Sequence, residues 1–553
     1  MFRRMVPCLL LVCVMALGAS AGSGRDADLE RALKGITQDE LKADINILSS
    51  DEFEGRGPST SGEEKTLRFL KDRFEKLGLL PGNGESYFQE IPLTEITSRP
   101  EGDLAVDGGN ATARLRYRDE YVASTMRAVA HSGLERSEMV FVGYGIVAPE
   151  WGWNDYKDID VRGKTVVMLV NDPGFATGDP GLFNGRSMTY YGRWTYKYEE
   201  AARQGAAGAL IVHETEPAAY PWGVVTNSFT GPQMSFTTAD RNMSRAAVEG
   251  WLTIDAARKI FLQAGRDFDE LKAGAARRGF TAIPLGLRAS VSLDNSIRNV
   301  SSSNVLALLP GGARKDECII YMAHWDHLGI DTTRTDDPIF NGALDNATGV
   351  AGLLELAEAF TKLERRPSRS ILFLSVTCEE QGLLGSEYYA EHPVFPLDRT
   401  VAALNMDAMN IYGPMKDVTA IGFGNSDLDD YLVDAAGTQG RVVRPDPQPE
   451  QGFFFRSDHF SLAKRGVPAL YAASGIDHVV HGPDWTRAQR DKYTAENYHK
   501  PSDEFDPAWD LSGAVDDLRL LFMVGYRLAG ESTFPEWKEG SAFKAARRAY
   551  MRP

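Results

Sequence analysis

Cysteine is scarce in this chain of 553 residues: Cys8, Cys13, Cys318 and Cys378 are all it has. A disulfide-dense scaffold is therefore excluded. Beyond the first twenty or so positions there is no apolar run of the ~20 residues that a membrane-spanning helix needs. Positive charge is in deficit, with 60 Lys and Arg against 77 Asp and Glu and a net charge of −17. That balance argues against nucleic acid or an anionic membrane as a general partner. There is no internal repeat and no low-complexity tract, so neither a solenoid nor a biased tail is expected. Histidine is also rare: nine in all, but seven of them fall at residue 324 or later.

What is present reads first as an exported protein. Arg3 and Arg4 form a basic start, Cys8 to Leu17 an apolar core, and Ala19-Ser20-Ala21 a small-residue cleavage pattern. This is the layout of a secretory signal over 1–21, which predicts a periplasmic or extracellular protein with no stable membrane insertion after cleavage. Cys8 and Cys13 leave with it. Cys318 sits near the start of one expected strand and Cys378 past the end of its neighbour. Their offset of about six residues is ~20 Å along a strand. A disulfide needs Cα atoms closer than about 7 Å, so both thiols are expected to be free and buried. A hydrophobic content of 43% is that of an ordinary folded protein, and the length suits roughly three to four domain-sized units or fewer large ones.

The chain then divides by character. An N-terminal part of the main domain is expected over 22–120. Thr37-Gln38-Asp39-Glu40 is a capping box opening one helix. Thr60 and Glu63 open another, which Gly78 stops. Between them Ser50 to Gly57 reads as a polar loop, and Tyr87 to Leu93 alternates like a strand. Over 121–285 short β-like runs dominate, such as Met139–Val142 and Lys164–Val170, with one helix near Tyr198–Gln204. This predicts a β-rich domain inserted into the first. From 286 to 535 strands and helices alternate, and 536–553 is set apart as a C-terminal tail. Ser303–Gly312 is read as an edge strand and turn. Strands follow at Cys318–Ala323, Ile371–Val376, Val401–Leu404 and Pro468–Ala472. Helices start near Thr348, Leu383 and Ser426, and a last one opens at Asp510. The expected fold class is α/β, with a mostly parallel central sheet flanked by helices and a β-rich insertion.

The chemistry collects at the ends of those strands. Cys318–Ala323 delivers His324-Trp325-Asp326-His327. Asp345 stands before a helix in Asn341-Gly342-Ala343-Leu344-Asp345-Asn346, where glycine permits close backbone approach and the helix N-terminus favours an anion. Glu379 and Glu380 follow the strand at 371–376, and Asp407 follows the one at 401–404. His499 lies in a loop ahead of the last helix. Imidazole and carboxylate are zinc ligands, and a paired site needs one bridging carboxylate with terminal ligands on each side. Alone, each piece is weak; together, at successive strand ends, they form the inventory of a two-metal hydrolase. His478 and His481 compete with His499 for the last position.

Four segments carry a family resemblance: Ala323 to His327, Gly342 to Val350, Cys378 to Ser386 and Tyr498 to Asp503. In sequence and order they resemble the M28 metallopeptidases, the co-catalytic zinc aminopeptidases and their relatives. The insertion more loosely resembles a protease-associated (PA) domain. The resemblance implies two Zn2+ ions, with Asp345 bridging, His324 and Asp407 completing one site, and Glu380 and His499 the other. It implies Glu379 as general base and Asp326 as the carboxylate that orients His324. Arg456-Ser457-Asp458-His459 takes a supporting role, and His327 is assigned outside the ligand set. The function so implied is release of N-terminal residues from peptides. A carboxypeptidase of the same family stays open, with Arg456 and Arg465 as candidates to grip a substrate carboxylate. A single-zinc aminoacyl cyclase and a non-catalytic binding protein are further alternatives. Phe453, Phe454, Phe455, Tyr471 and Trp485 are candidates for an apolar pocket wall, against plain core packing.

Overall fold

The computed structural model describes residues 27–551 apart from positions 110 and 542. The signal-peptide reading of 1–21 lies outside the described residues. So does the first stretch after it.

The strand Arg314–His324 is the middle of the molecule. Its residues alternate between two apolar layers: Ile319, Tyr321 and Ala323 face one, and Cys318, Ile320 and Met322 the other. A strand that is apolar on both faces must be covered on both sides, and it is. Helices Gln38–Leu48, Ser61–Lys76, Thr348–Thr361, Leu428–Thr438 and Ser512–Gly530 pack on the first face. Leu384–Glu391 and His459–Lys464 cover the second. In-register parallel pairing runs from Arg369–Val376 through Arg314–His324 and Thr400–Asn405 to Ala469–Ser474. Antiparallel neighbours close this parallel centre on both sides, Ile283–Leu309 on one and Asp417–Ile421 on the other. Cys318 and Cys378 are free and buried, as the offset along the strands requires.

The expected edge strand is a different object. Ser303 to Leu309 is the end of a single 27-residue strand, Ile283–Leu309. It pairs with Arg369–Val376 on one side, and on the other with Phe88–Pro100 and Leu80–Pro81. Its alternation weakens in the polar stretch Asn295 to Asn304, which hid its length. A second pair of apolar cores lies between Leu104 and Leu293. Here Thr165–Leu169, Gly208–His213 and Val248–Thr253 run parallel, flanked by the helices Trp194–Arg203 and Ile254–Gln263.

Several helices escaped the sequence reading, among them Ile254–Gln263, Phe268–Ala275, Gly482–Glu496 and Lys544–Tyr550. Gly482–Glu496 buries only Thr486, so it carries no apolar stripe to detect. Lys544–Tyr550 follows the helix that was expected to be last. The stretch before it is docked on the core: Trp537 is buried and its indole N–H donates to the Gly466 carbonyl at 2.8 Å. Among the described residues no helix is long and apolar enough to cross a membrane.

Candidate metal centre

The register of the parallel strands sets the site. His324 ends its strand opposite Val376, and Met322 lies opposite Asn405. The loops bearing Glu379, Glu380 and Asp407 therefore leave the sheet at one edge, where ligands bind in open α/β sheets. Each turn is sharp. Cys378 before Glu379 has φ 53° and Ala408 after Asp407 has φ 57°, left-handed values that non-glycine residues adopt at a cost. Gly342 at φ 57° cannot be replaced freely, since a Cβ there would lie 2.4 Å from the Asp345 carbonyl oxygen. That close approach is what brings Asp345 over the strand ends.

Asp345 stands at the centre. Its Oδ1 is 3.3 Å from His324 Nε2, and its Oδ2 is 3.4 Å from His499 Nε2. Asp407 Oδ1 is 3.4 Å from the same His324 nitrogen, and Glu380 Oε2 is 3.0 Å from that of His499. Donor atoms that share a zinc ion at about 2.0–2.2 Å stand ~3–3.6 Å from one another. The spacing suits metal ligation on both sides of Asp345, where His324, Asp345 and Asp407 form one group of donors and His327, Asp345 and Glu380 another.

Supporting groups lock each ligand. The Asp326 carboxylate accepts the main-chain N–H groups of Glu379 (3.1 Å) and Glu380 (3.3 Å). Its distance to His324 Nδ1 is 3.8 Å; the imidazole partner is instead the Asp326 main-chain carbonyl at 3.1 Å. Asp326 thus orients His324 through its backbone and the acidic loop through its side chain. Asp503 accepts the amides of Leu344 and Asp345, both at 3.1 Å. Ser457 donates to Asp407 Oδ2 at 2.7 Å. His327 Nδ1 lies 2.6 Å from Glu380 Oε1, a direct hydrogen bond that turns the other carboxylate oxygen toward His499.

The electrostatics ask for cations. Burial raises the Glu379 carboxyl well above its ordinary range; the positive His324 opposes this, and Glu380, Asp458 and Asp407 add to it. Burial also lifts Asp326 to about 8. Asp345 goes the other way: against burial, hydrogen bonds from His324 and His499 hold it well below the carboxylate range. A buried surplus of carboxylates over imidazoles is costly unless further positive charge enters.

Several expected residues lie elsewhere. His478 and His481 stack on each other and pack against Trp485, and Arg465 pairs with Glu391 at the surface. Of the candidate pocket aromatics only Phe455 lines the cleft beside Glu379. Phe454 packs in the core against His459 and Phe543, and the Tyr471 hydroxyl donates to the Asp407 carbonyl at 3.1 Å. The cleft is also lined by Arg193, Tyr198, Tyr220, Phe229 and Trp251. Arg193 and Arg456 both feel the charge of Glu379, yet neither pairs with a carboxylate among the described residues, and Arg193 Nε has no partner. Arg193 and Ser228, whose hydroxyl meets His499 Nδ1 at 3.0 Å, were missed. No local sequence signal marks them, because they reach the site only through the fold.

Comparison with known proteins agrees with the fold. Residues 304–523 match the model of Peptidase family M28. Over 143 residues the chain is 34% identical to the aminopeptidase NAALADL1 of Mus musculus, covering 25% of this chain and 18% of that one. Over 276 residues it is 32% identical to a probable glutamate carboxypeptidase of Arthroderma benhamiae, covering 45% and 33%. The chain thus matches only about a fifth to a third of the length of these relatives. In architecture it is similar to an aminopeptidase from Aneurinibacillus sp. strain AM-1, with a TM-score of 0.52 and 18% identity over 92% of this chain and 97% of that one.

Proposed function

Residues 304–523 match the model of peptidase family M28, and we propose that the chain is an exported di-zinc aminopeptidase of that family, acting on peptides. The observation that carries this reading is the bridging posture of Asp345, each of whose carboxylate oxygens faces a different histidine. His324 and Asp407 would hold one zinc, Glu380 and His499 the other, with Asp345 shared. Ions so bound polarise a scissile carbonyl and ease the ionisation of water.

The chain's own residues do the rest. Glu379 lines the cleft, on the loop whose amides Asp326 holds. A carboxylate placed there takes a proton from the attacking water and returns it to the leaving amine. The aromatic walls from both parts of the chain exclude bulk water and limit access to extended peptide ends. The signal-like N-terminus supports substrates outside the cytoplasm.

A second reading rests on Arg193 and Arg456. Two guanidinium groups beside Glu379 that pair with no carboxylate among the described residues suit a substrate carboxylate, as a carboxypeptidase requires. Digests of matched peptides, free or acetylated at the N-terminus and free or amidated at the C-terminus, separate the two. Shortening of free N-termini only is the expected result. Trimming that demands a free C-terminus, with KM raised in R193A, replaces it with the carboxypeptidase. In either case E379Q loses about 10²–10⁴-fold in kcat while its zinc content stays that of wild type. Unchanged turnover in E379Q would remove Glu379 as the base.

A further inference from the structure

The two histidines of the centre are held differently. His324 directs its Nδ1 to the main-chain carbonyl of Asp326, so it is completed within its own strand end. His499 has its Nε2 toward Glu380 and Asp345, and its Nδ1 meets Ser228 Oγ at 3.0 Å. Ser228 ends the helix Trp222–Ser228 of the inserted segment. The residue before it, Asn227, donates to the His499 carbonyl at 3.2 Å. His499 itself has φ 55°, a left-handed conformation that persists in a non-glycine residue only when its surroundings impose it.

We propose that Ser228 and Asn227 are positioning residues for His499, so that the inserted segment is a working part of one of the two metal sites. This rests on the reading of His499 as a zinc ligand. An imidazole that offers Nε2 to a cation carries its proton on Nδ1, and that proton needs an acceptor. The Ser228 hydroxyl is the acceptor at hand. Asn227 holds the other end of the same residue and keeps the strained backbone in place. The segment is in turn tied to the loop it serves. Gln233 donates to the Ser228 carbonyl at 3.1 Å, and the Met234 N–H donates to Gln381 Oε1 at 3.0 Å, one residue past Glu380. The ligands Glu380 and His499 are thus braced by one segment, whereas His324 and Asp407 are not.

The inference predicts an asymmetry. S228A weakens one of two zinc sites by about 10–100-fold, the usual effect of removing a group that orients a ligand. The other site keeps its affinity, and S228T, which retains the hydroxyl, binds both ions like wild type. N227A weakens the same single site. The measurement is competitive zinc titration of the full-length mature protein against a chromogenic chelator. Unfolding of the metal-free proteins is followed in parallel and is expected to match. S228A and N227A that bind both ions with wild-type constants overturn the inference, as does equal weakening of both sites. If S228A does not fold, N227A and S228T decide alone: one weakened site in the first and none in the second supports it. Wild type that takes up fewer than two ions overturns the di-zinc reading itself, an outcome distinct from an unchanged S228A.

Discussion

Arg56 has no exposed surface, and its guanidinium is spent on main-chain carbonyls: Trp325, Leu48, Asn341 and Gly342, at 2.6 to 2.8 Å. Two of those carbonyls belong to the turn that lifts Asp345 into place. In the sequence this arginine sat in what reads as a polar loop. The loop is a short helical turn, Asp51–Arg56, packed under the site. Lysine cannot replace it, because one ammonium cannot reach acceptors spread around a planar fork. R56K is expected to lose about 3 kcal/mol or more of stability in urea unfolding, since each orphaned buried carbonyl costs about 1–3 kcal/mol. Its zinc affinity should fall with it; wild-type stability in R56K would mean that the carbonyls find other partners. His324, Glu379, Glu380 and Asp407 were legible as candidates because acids and imidazoles just past apolar strands are a local signal, Asp345 because a glycine-rich turn opens a helix there, and His499 through its motif. Arg56, Arg193 and Ser228 were not, because each acts across a long sequence separation.

Between elements, the contact of Thr348–Thr361 with Gln38–Leu48 carries a titrating group. Glu355 is 1% exposed; its Oε2 accepts the Thr37 N–H at 2.9 Å and its Oε1 has no partner. Burial lifts its carboxyl to about 8, with Glu40 and Glu358 adding to the shift. A carboxyl raised above its unfolded value of 4.5 stabilises the fold fully only below that value. The contribution is then lost as pH rises toward 8. For one proton the slope is at most about 1.4 kcal/mol per pH unit. E355Q, which copies the protonated form, is expected to flatten the stability profile between pH 5 and about 8 and to exceed wild type at the upper end. Denaturant titrations at several pH values would show it, and parallel profiles would place the proton elsewhere. The helices themselves were readable from their caps. Thr37 accepts the Glu40 N–H at 3.3 Å, and Gly78 ends its helix at φ 75°. The helix Gly482–Glu496 was not readable, since an exposed helix has no periodic apolar face.

At the scale of the molecule, the two parts of the chain are joined by strand pairing. Phe88–Pro100 and Ile283–Leu309 stay in register from Phe88 opposite Val305 to Pro100 opposite Leu293. The residues between these two strands include Arg193 and Ser228, which reach the metal centre. The cleft walls are therefore set by main-chain hydrogen bonds as much as by side chains. The buried carboxylates of the centre carry negative charge that bound cations would offset. Chelation of the zinc-loaded protein is expected to lower global stability by about 4 kcal/mol relative to free zinc at 1,000 times the dissociation constant. Calorimetry of D345N, which lacks the bridge, should show a smaller difference between loaded and chelated states. An equal difference would separate the stabilising ion from this centre.

By itself the sequence determined the fold class and the free thiols, and it singled out the candidate ligands. Each rests on short-range pattern: alternation along a strand, a cap at a helix end, an acid or imidazole just past an apolar run. Tertiary structure alone decided that Asp345 turns its two oxygens to two histidines, that Asp326 serves the acidic loop with its carboxylate, and that one long strand joins both parts of the chain. It also brought Arg193 and Ser228 to a centre built from residues far along the chain. The physical reason is that hydrogen bonds and charge act over a few ångströms in space, and folding alone sets which distant residues come that close.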